Sequence, residues 1–244
     1  MPQSSSLPSI HIRPFLGLLI IISSLLLVVG VVNCKISPIG PPISRLKDSW
    51  STTTPKNSDS IKVQIDLYVD LACSDSAEWW TSVFKSLDSY YFSNSSSSAP
   101  IKLNLHLLPL PYHISSYATS MSYIAINKYT NYNSKVLKEL INSFYTNQSP
   151  LYNNIVSEMK QSEMYKLIYT NNIQSLNVIS WNDYLNLMLD GSIDMRTRTL
   201  FKLSTANGVF ATPSFYVNGV AIQNGENFTF NDWVSLFNNV IVNN

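Results

Sequence analysis

The sequence is short of charge, cysteine, histidine and glycine, and each shortage removes a class of chemistry. Lys, Arg, Asp and Glu make up 13% of the 244 residues and nearly cancel, to a formal net charge of +1. The chain therefore lacks the clustered basic excess that displaces counterions from nucleic-acid phosphates, and no nucleic-acid partner is expected. Its 7 glycines include no glycine-rich run of the kind that cradles a nucleotide phosphate. The three histidines, His11, His106 and His113, show no metal-ligand spacing with the cysteines, so no metal is expected. Two cysteines, Cys34 and Cys73, do not make a disulfide framework for a chain of this length.

Apolar residues are plentiful, at 45% of the chain, enough for a sizeable core. They are concentrated first in FLGLLIIISSLLLVVGVV, 18 residues from Phe15 to Val32 without a charge, just after Arg13. That length lies between a signal-peptide core and a membrane-spanning helix, so residues 15–33 read as a signal peptide or a signal anchor behind a tail at 1–14. Either reading delivers the rest to a non-cytosolic, oxidising compartment: the endoplasmic reticulum lumen, the extracellular space, or a membrane-anchored position facing that side. Cys34, at the end of the apolar run, is then removed, acylated or unpaired. The sequons at Asn94, Asn147 and Asn227 fit that placement, with Asn94 and Asn227 the candidate glycosylation sites, although a chain rich in Asn and Ser also produces sequons by chance. Pro150 follows the Asn147 sequon and counts against its use.

Residues 34–60, broken by Pro38, Pro41, Pro42 and Pro55, show no periodicity and read as a flexible linker, with Trp50 the exception suited to dock. A domain is expected over 61–244. Val63, Ile65, Leu67 and Val69 alternate with polar neighbours, and so do Ile101, Leu103, Leu105 and Leu107, giving two strands. Between them Trp80, Val83, Phe84, Leu87 and Tyr91 recur at helical spacing, and a crossover of this length makes the strands parallel neighbours. Helical stretches fill about 115–206, including one drawn through Ile155, Met159, Tyr165 and Ile168. Asn218-Gly219 between two short runs is the preferred pair for a two-residue hairpin, and a closing helix is expected from about Phe230 to Val240.

Two motifs carry chemistry. YVDLACSDS puts Cys73 at a strand-to-helix turn, where the helix dipole and free N–H groups favour a thiolate. NGVFATPSFYVNG, residues 207–219, joins a helix end, a proline opening a strand, and a tight hairpin. With the strand, helix, strand, helical insert, hairpin, helix order, these residues resemble the DsbA-like branch of the thioredoxin superfamily, including its eukaryotic secretory-pathway members. The resemblance implies an α/β thioredoxin-like fold with a helical domain inserted, here behind an N-terminal hydrophobic helix. It also implies a cis Pro213 facing Cys73, with the Thr212 backbone available to an extended ligand strand. LPLPYH, residues 108–113, is a weaker likeness leading into the insert, and His113 reads as an ordinary loop histidine.

One feature departs from the family: Ser76 stands where Cys-x-x-Cys sites carry the resolving thiol, leaving Cys-x-x-Ser. A serine hydroxyl cannot resolve a mixed disulfide. Asp75 between the two positions, where strong oxidants of the family carry histidine, disfavours a thiolate. Three readings stand. The first is a monothiol disulfide oxidoreductase or isomerase, with Cys73 as nucleophile, Ser76 as hydroxyl donor to its sulfur and Thr212-Pro213 as the substrate dock, acting on protein thiols. The second is a redox-inactive module binding extended peptides. The third is a glutathione-dependent transferase or isomerase, because kappa-class glutathione transferases share the fold. No cofactor is expected beyond glutathione.

Overall fold

The computed structural model describes residues 48–52, 61–93 and 99–243. The leader at 15–33, Cys34 and Asn94 lie outside the described residues. Among the described residues, no helix is long and apolar enough to cross a membrane.

A five-stranded sheet with the order β1-β3-β2-β4-β5 forms the centre. Its strands are β1 (Trp50–Ser51), β2 (Val63–Val69), β3 (Ile101–Leu107), β4 (Ser214–Val217) and β5 (Val220–Ile222). β2 and β3 run parallel from Val63↔Ile101 to Val69↔Leu107, as the helical crossover requires. That crossover is α1 (residues 74–92), which contains the π-helical turns Trp80–Phe84 and Asp88–Phe92. β4 pairs antiparallel with β2, and β5 with β4. The β4–β5 turn has positive φ at both Asn218 (49°) and Gly219 (80°). The Asn218 side chain accepts from Gln64 N at 2.7 Å and donates to Lys62 O at 2.8 Å, so the turn residue also ties the hairpin to β2.

Between β3 and β4 lie α2 (Ser116–Tyr129), α3 (Ser134–Thr146), α4 (Asn153–Val156), α5 (Gln161–Ile168), α6 (Trp181–Met188) and α7 (Gly191–Ala206). The helix expected through Ile155 and Tyr165 is two helices. Lys160 has extended backbone (φ −68°, ψ 153°), and Glu163 folds back to accept from Lys160 N at 2.8 Å, which starts α5 afresh. α2 is buried from Ala118 through Asn127 and packs against α3, α5, α6 and α7. Its small polar residues bond locally: Ser122 Oγ donates to Ala118 O at 2.7 Å and meets the Tyr184 hydroxyl at 2.7 Å. α8 (Phe230–Asn243) closes the chain.

The main core unites the apolar face of β2 and β3 with Trp79, Trp80, Phe84 and Leu87 of α1 and Trp233 and Phe237 of α8. Aromatic rings interlock there, with Phe215 centred 4.8 Å from Trp79 and 5.0 Å from Trp233. β1 falls inside the stretch read as linker. It is held by Trp50, which is buried, packs edge-on against Trp80 and Phe84, and donates its indole N–H to Ser134 O at 3.0 Å.

The polar faces of β2 and β3, unusual for a central sheet, are satisfied by one another. Asp66 accepts from Gln64 (2.9 Å) and Asn104 (3.0 Å) and pairs with His106 (2.9 Å), whose ring stacks on Tyr68. Burial alone would raise the Asp66 carboxyl, but the bonds from His106, Gln64 and Asn104 outweigh it and bring the pKa down to about 2.

Candidate functional site

The turn from β2 into α1 is built by Asp70, whose carboxylate is fully buried. One oxygen accepts from Ala72 N at 2.9 Å, the local turn that carries the chain out of the strand. The other accepts from Leu110 N at 3.2 Å and pairs with His113 Nδ1 at 2.7 Å, tying the loop after β3 to the same point. Cys73 is the N-cap of α1 with extended backbone (φ −83°, ψ 125°). Its N–H donates to Asp70 O at 3.1 Å. Its carbonyl accepts from Ala77 N at 3.1 Å and from Gln148 Nε2 at 3.0 Å, and Gln148 also holds Leu71 O at 3.1 Å. One insert residue thus braces the backbone on both sides of the cysteine.

From the other direction, α7 ends at Ala206 and is followed after Asn207 by Gly208, whose φ of +75° is the left-handed conformation that suits glycine just past a helix C-terminus. The chain then runs through Val209, Phe210 and Ala211 to a cis peptide bond between Thr212 and Pro213 and into β4. The Cys73 thiol donates to Thr212 O at 3.3 Å. Residues 139 positions apart are therefore in contact, and the cis bond is the one the family resemblance implies.

Ser76 is not where it was expected to act. Its hydroxyl is fully buried, lies beside the Tyr145 hydroxyl and makes no hydrogen bond to the Cys73 sulfur. Residue 76 faces the core within the first turn of α1, whereas the extended N-cap turns the sulfur toward Thr212. Asn227 is exposed in the short turn Gly225–Asn227, its side chain only 3.4 Å from Glu226 Oε1. Asn147 caps the C-terminus of α3, its side chain donating to Asn171 O at 3.1 Å.

His113, read as an ordinary loop histidine, belongs to the site. Its hydrogen bond to Asp70 raises its pKa above the usual value against the opposing effect of partial burial, and the charges of Asp70 and Asp75 add to the rise. The signal available in the sequence was only its place in LPLPYH. Tyr145, fully buried below, is pushed well up by burial and by the nearby Asp70 and Cys73.

A groove of about 500 Å³ opens beside the Pro213 loop, between residues 208–216 and 221–226, with Asp75 and Glu226 at its margins. Phe210 (84% exposed) and Tyr112 (60%) stand out from the surface around the thiol. Cys73 itself is only 5% exposed and is a free thiol. Among the described residues no group of His, Cys, Asp and Glu is arranged to hold a metal ion.

No protein-family model matches the sequence, and no curated protein does. The fold does match solved structures. One is a candidate protein-disulfide isomerase from Pseudomonas syringae, with a TM-score of 0.59 and 12% identity over 78% of this chain and 96% of that one. Another is α-DsbA1 of Wolbachia pipientis, at 0.58 and 12% over 80% and 92%. A third is MdbA, a thiol-disulfide oxidoreductase from Actinomyces oris, at 0.53 and 13% over 84% and 93%. At these identities the likeness establishes the fold, a DsbA-like thioredoxin fold.

Proposed function

We propose that the chain is a monothiol disulfide exchange protein of the secretory pathway, acting on protein thiols through Cys73. The observation that carries this is the 3.3 Å contact between Cys73 Sγ and the carbonyl preceding the cis proline, at the start of a helix and beside an open groove. An extended client segment laid along Thr212 and Pro213 brings its disulfide to Cys73. The Cys73 thiolate attacks one client sulfur, the new S–S bond joins client and Cys73, and the other client sulfur leaves as a thiolate. No resolving thiol follows at position 76, so release needs a second thiolate from outside, either another client cysteine or a low-molecular-weight thiol such as glutathione. That thiolate forms the new disulfide with the client and returns Cys73 as thiolate. When the second thiolate comes from the client itself, the cycle is an isomerisation with no net oxidation. The leader at 15–33 supplies the oxidising compartment, as signal peptide or anchor, and the exposed Asn227, with Asn94, is the acceptor for N-glycosylation there.

The test is to express the full chain in the secretory pathway, block free thiols with an alkylating agent and look for mixed disulfides. Adducts present with the native chain and lost in Cys73→Ala support the proposal; their absence from both overturns it.

A second reading, non-covalent peptide binding, is favoured by the 5% exposure of Cys73 beside the strongly exposed Phe210 and Tyr112. Client association that persists unchanged in Cys73→Ala, without any adduct in the native chain, supports that reading instead.

A further inference from the structure

We propose that the cavity between the β3–α2 loop and α7 is a second client subsite, which takes an apolar side chain followed by an acidic residue. It measures about 360 Å³ and is separate from the groove beside Pro213. Its lining is mainly apolar, with Pro109, Leu110, Tyr117 and Phe201. Its rim carries Arg198, Lys202 and His113, and no carboxylate residue lines it. Arg198 is already paired with Asp194 at 2.8 Å, but the Lys202 ammonium has no carboxylate partner among the described residues. An uncompensated cation at the edge of an apolar hollow complements a ligand that is apolar at one end and negative at the other.

A peptide fits these observations better than a free amphiphile because the cavity adjoins the thiol site: His113 also lines a hollow with Ala72 and Ser74, the two neighbours of Cys73. The His113 ring that lines it is hydrogen-bonded to Asp70, which in turn holds the Cys73 N–H through its carbonyl. The same loop carries the exposed Tyr112 and Ile114 (47%), apolar surface that a bound peptide would cover. The inference rests on the peptide-exchange reading only for calling the occupant a client; binding here needs no covalent step.

Two cysteine-free fluorescent peptides, identical except that Leu-Phe is followed by Glu-Glu in one and Lys-Lys in the other, test this on the full chain by anisotropy. The acidic peptide is expected to bind about tenfold more tightly at low salt, with the preference shrinking as ionic strength rises. Lys202→Glu, on an exposed site away from Cys73, should reverse the preference, while Cys73→Ala should leave it intact. Equal affinities, or a preference untouched by Lys202→Glu, overturn the proposal, as does saturable binding of decanoate with neither peptide bound. Loss of binding in Phe210→Ala but not in Lys202→Glu also overturns it, since the peptide then sits in the groove beside Pro213. A retained preference without mixed disulfides in cells would remove the exchange reading and leave this subsite standing.

Discussion

Cys73, the N-cap of α1, and Ser76, three residues further on, lie one turn apart, and they differ in what surrounds them. The sulfur has an acceptor in Thr212 O, whereas the hydroxyl is sealed in the core beside Tyr145. A buried serine hydroxyl is replaced at modest cost by a thiol, which packs as a small apolar side chain and keeps a weak S–H donor. Ser76→Cys is therefore expected to fold and, on mild oxidation, to close a disulfide with Cys73. Thiol titration of that variant should find neither sulfur reactive after oxidation, and it should oxidise model dithiols, which the native chain should not do alone. Both thiols remaining reactive would mean that the first turn of α1 does not present them to each other. At His113 the prediction concerns pH. The folded pKa lies above the unfolded value of about 6.5 because Asp70 holds the imidazolium, so this pair stabilises fully below about pH 6.5. The stabilisation is lost as pH rises through the raised folded value. His113→Gln should therefore cost about 1 kcal/mol at pH 6 and less at pH 9, read as a difference in urea midpoints.

The elements differ in how plainly the sequence announces them. β2, β3 and the Asn218-Gly219 hairpin were legible because alternation and a positive-φ pair are local signals that tertiary packing reinforces. β1 was not, since two residues have no period, and what holds Trp50 in place is Trp80, Phe84 and Ser134, residues distant in sequence. Truncating a buried tryptophan that also loses an indole hydrogen bond costs about 3–5 kcal/mol, so Trp50→Ala should lower the unfolding midpoint sharply. An unchanged midpoint would mean that residues 48–52 add nothing to the fold. The break between α4 and α5 was missed for a related reason. Apolar spacing runs straight through it, while the backbone turn at Lys160 is fixed by Glu163 reaching back to an N–H. Gly208 supplies the opposite case, a conformation the residue type does announce. Gly208→Ala puts a Cβ on a φ of +75° and should cost about 1 kcal/mol, measured as a shift in thermal midpoint.

Across the whole molecule, the contact between the two halves of the site was readable because each half carries its own motif: a cysteine at a helix start, and a proline opening a strand. The supports were not. Gln148 reaches Cys73 from the insert, and Asp70 collects His113 from the loop after β3, so these roles exist only once the insert has folded over the sheet. The insert therefore both braces the cysteine backbone and walls the surface around it, but it contributes no second thiol. Cys73 is the one cysteine among the described residues, so the proposed exchange cycle would find no internal resolving thiol there. A preformed mixed disulfide between Cys73 and a client peptide, made in a Cys34→Ser background so that no other thiol of the chain can take part, should then persist in buffer. Added reduced glutathione should release it at a rate proportional to glutathione concentration and rising with pH, because the incoming thiolate is the reactant. Spontaneous release of the peptide at a rate independent of added thiol would show that the protein supplies its own resolving group, and the monothiol cycle would fall. The same adduct made on Ser76→Cys gives the internal comparison. There a neighbouring thiolate is available one helical turn away, so release should lose its dependence on external thiol while the peptide, the groove and the cis proline stay the same.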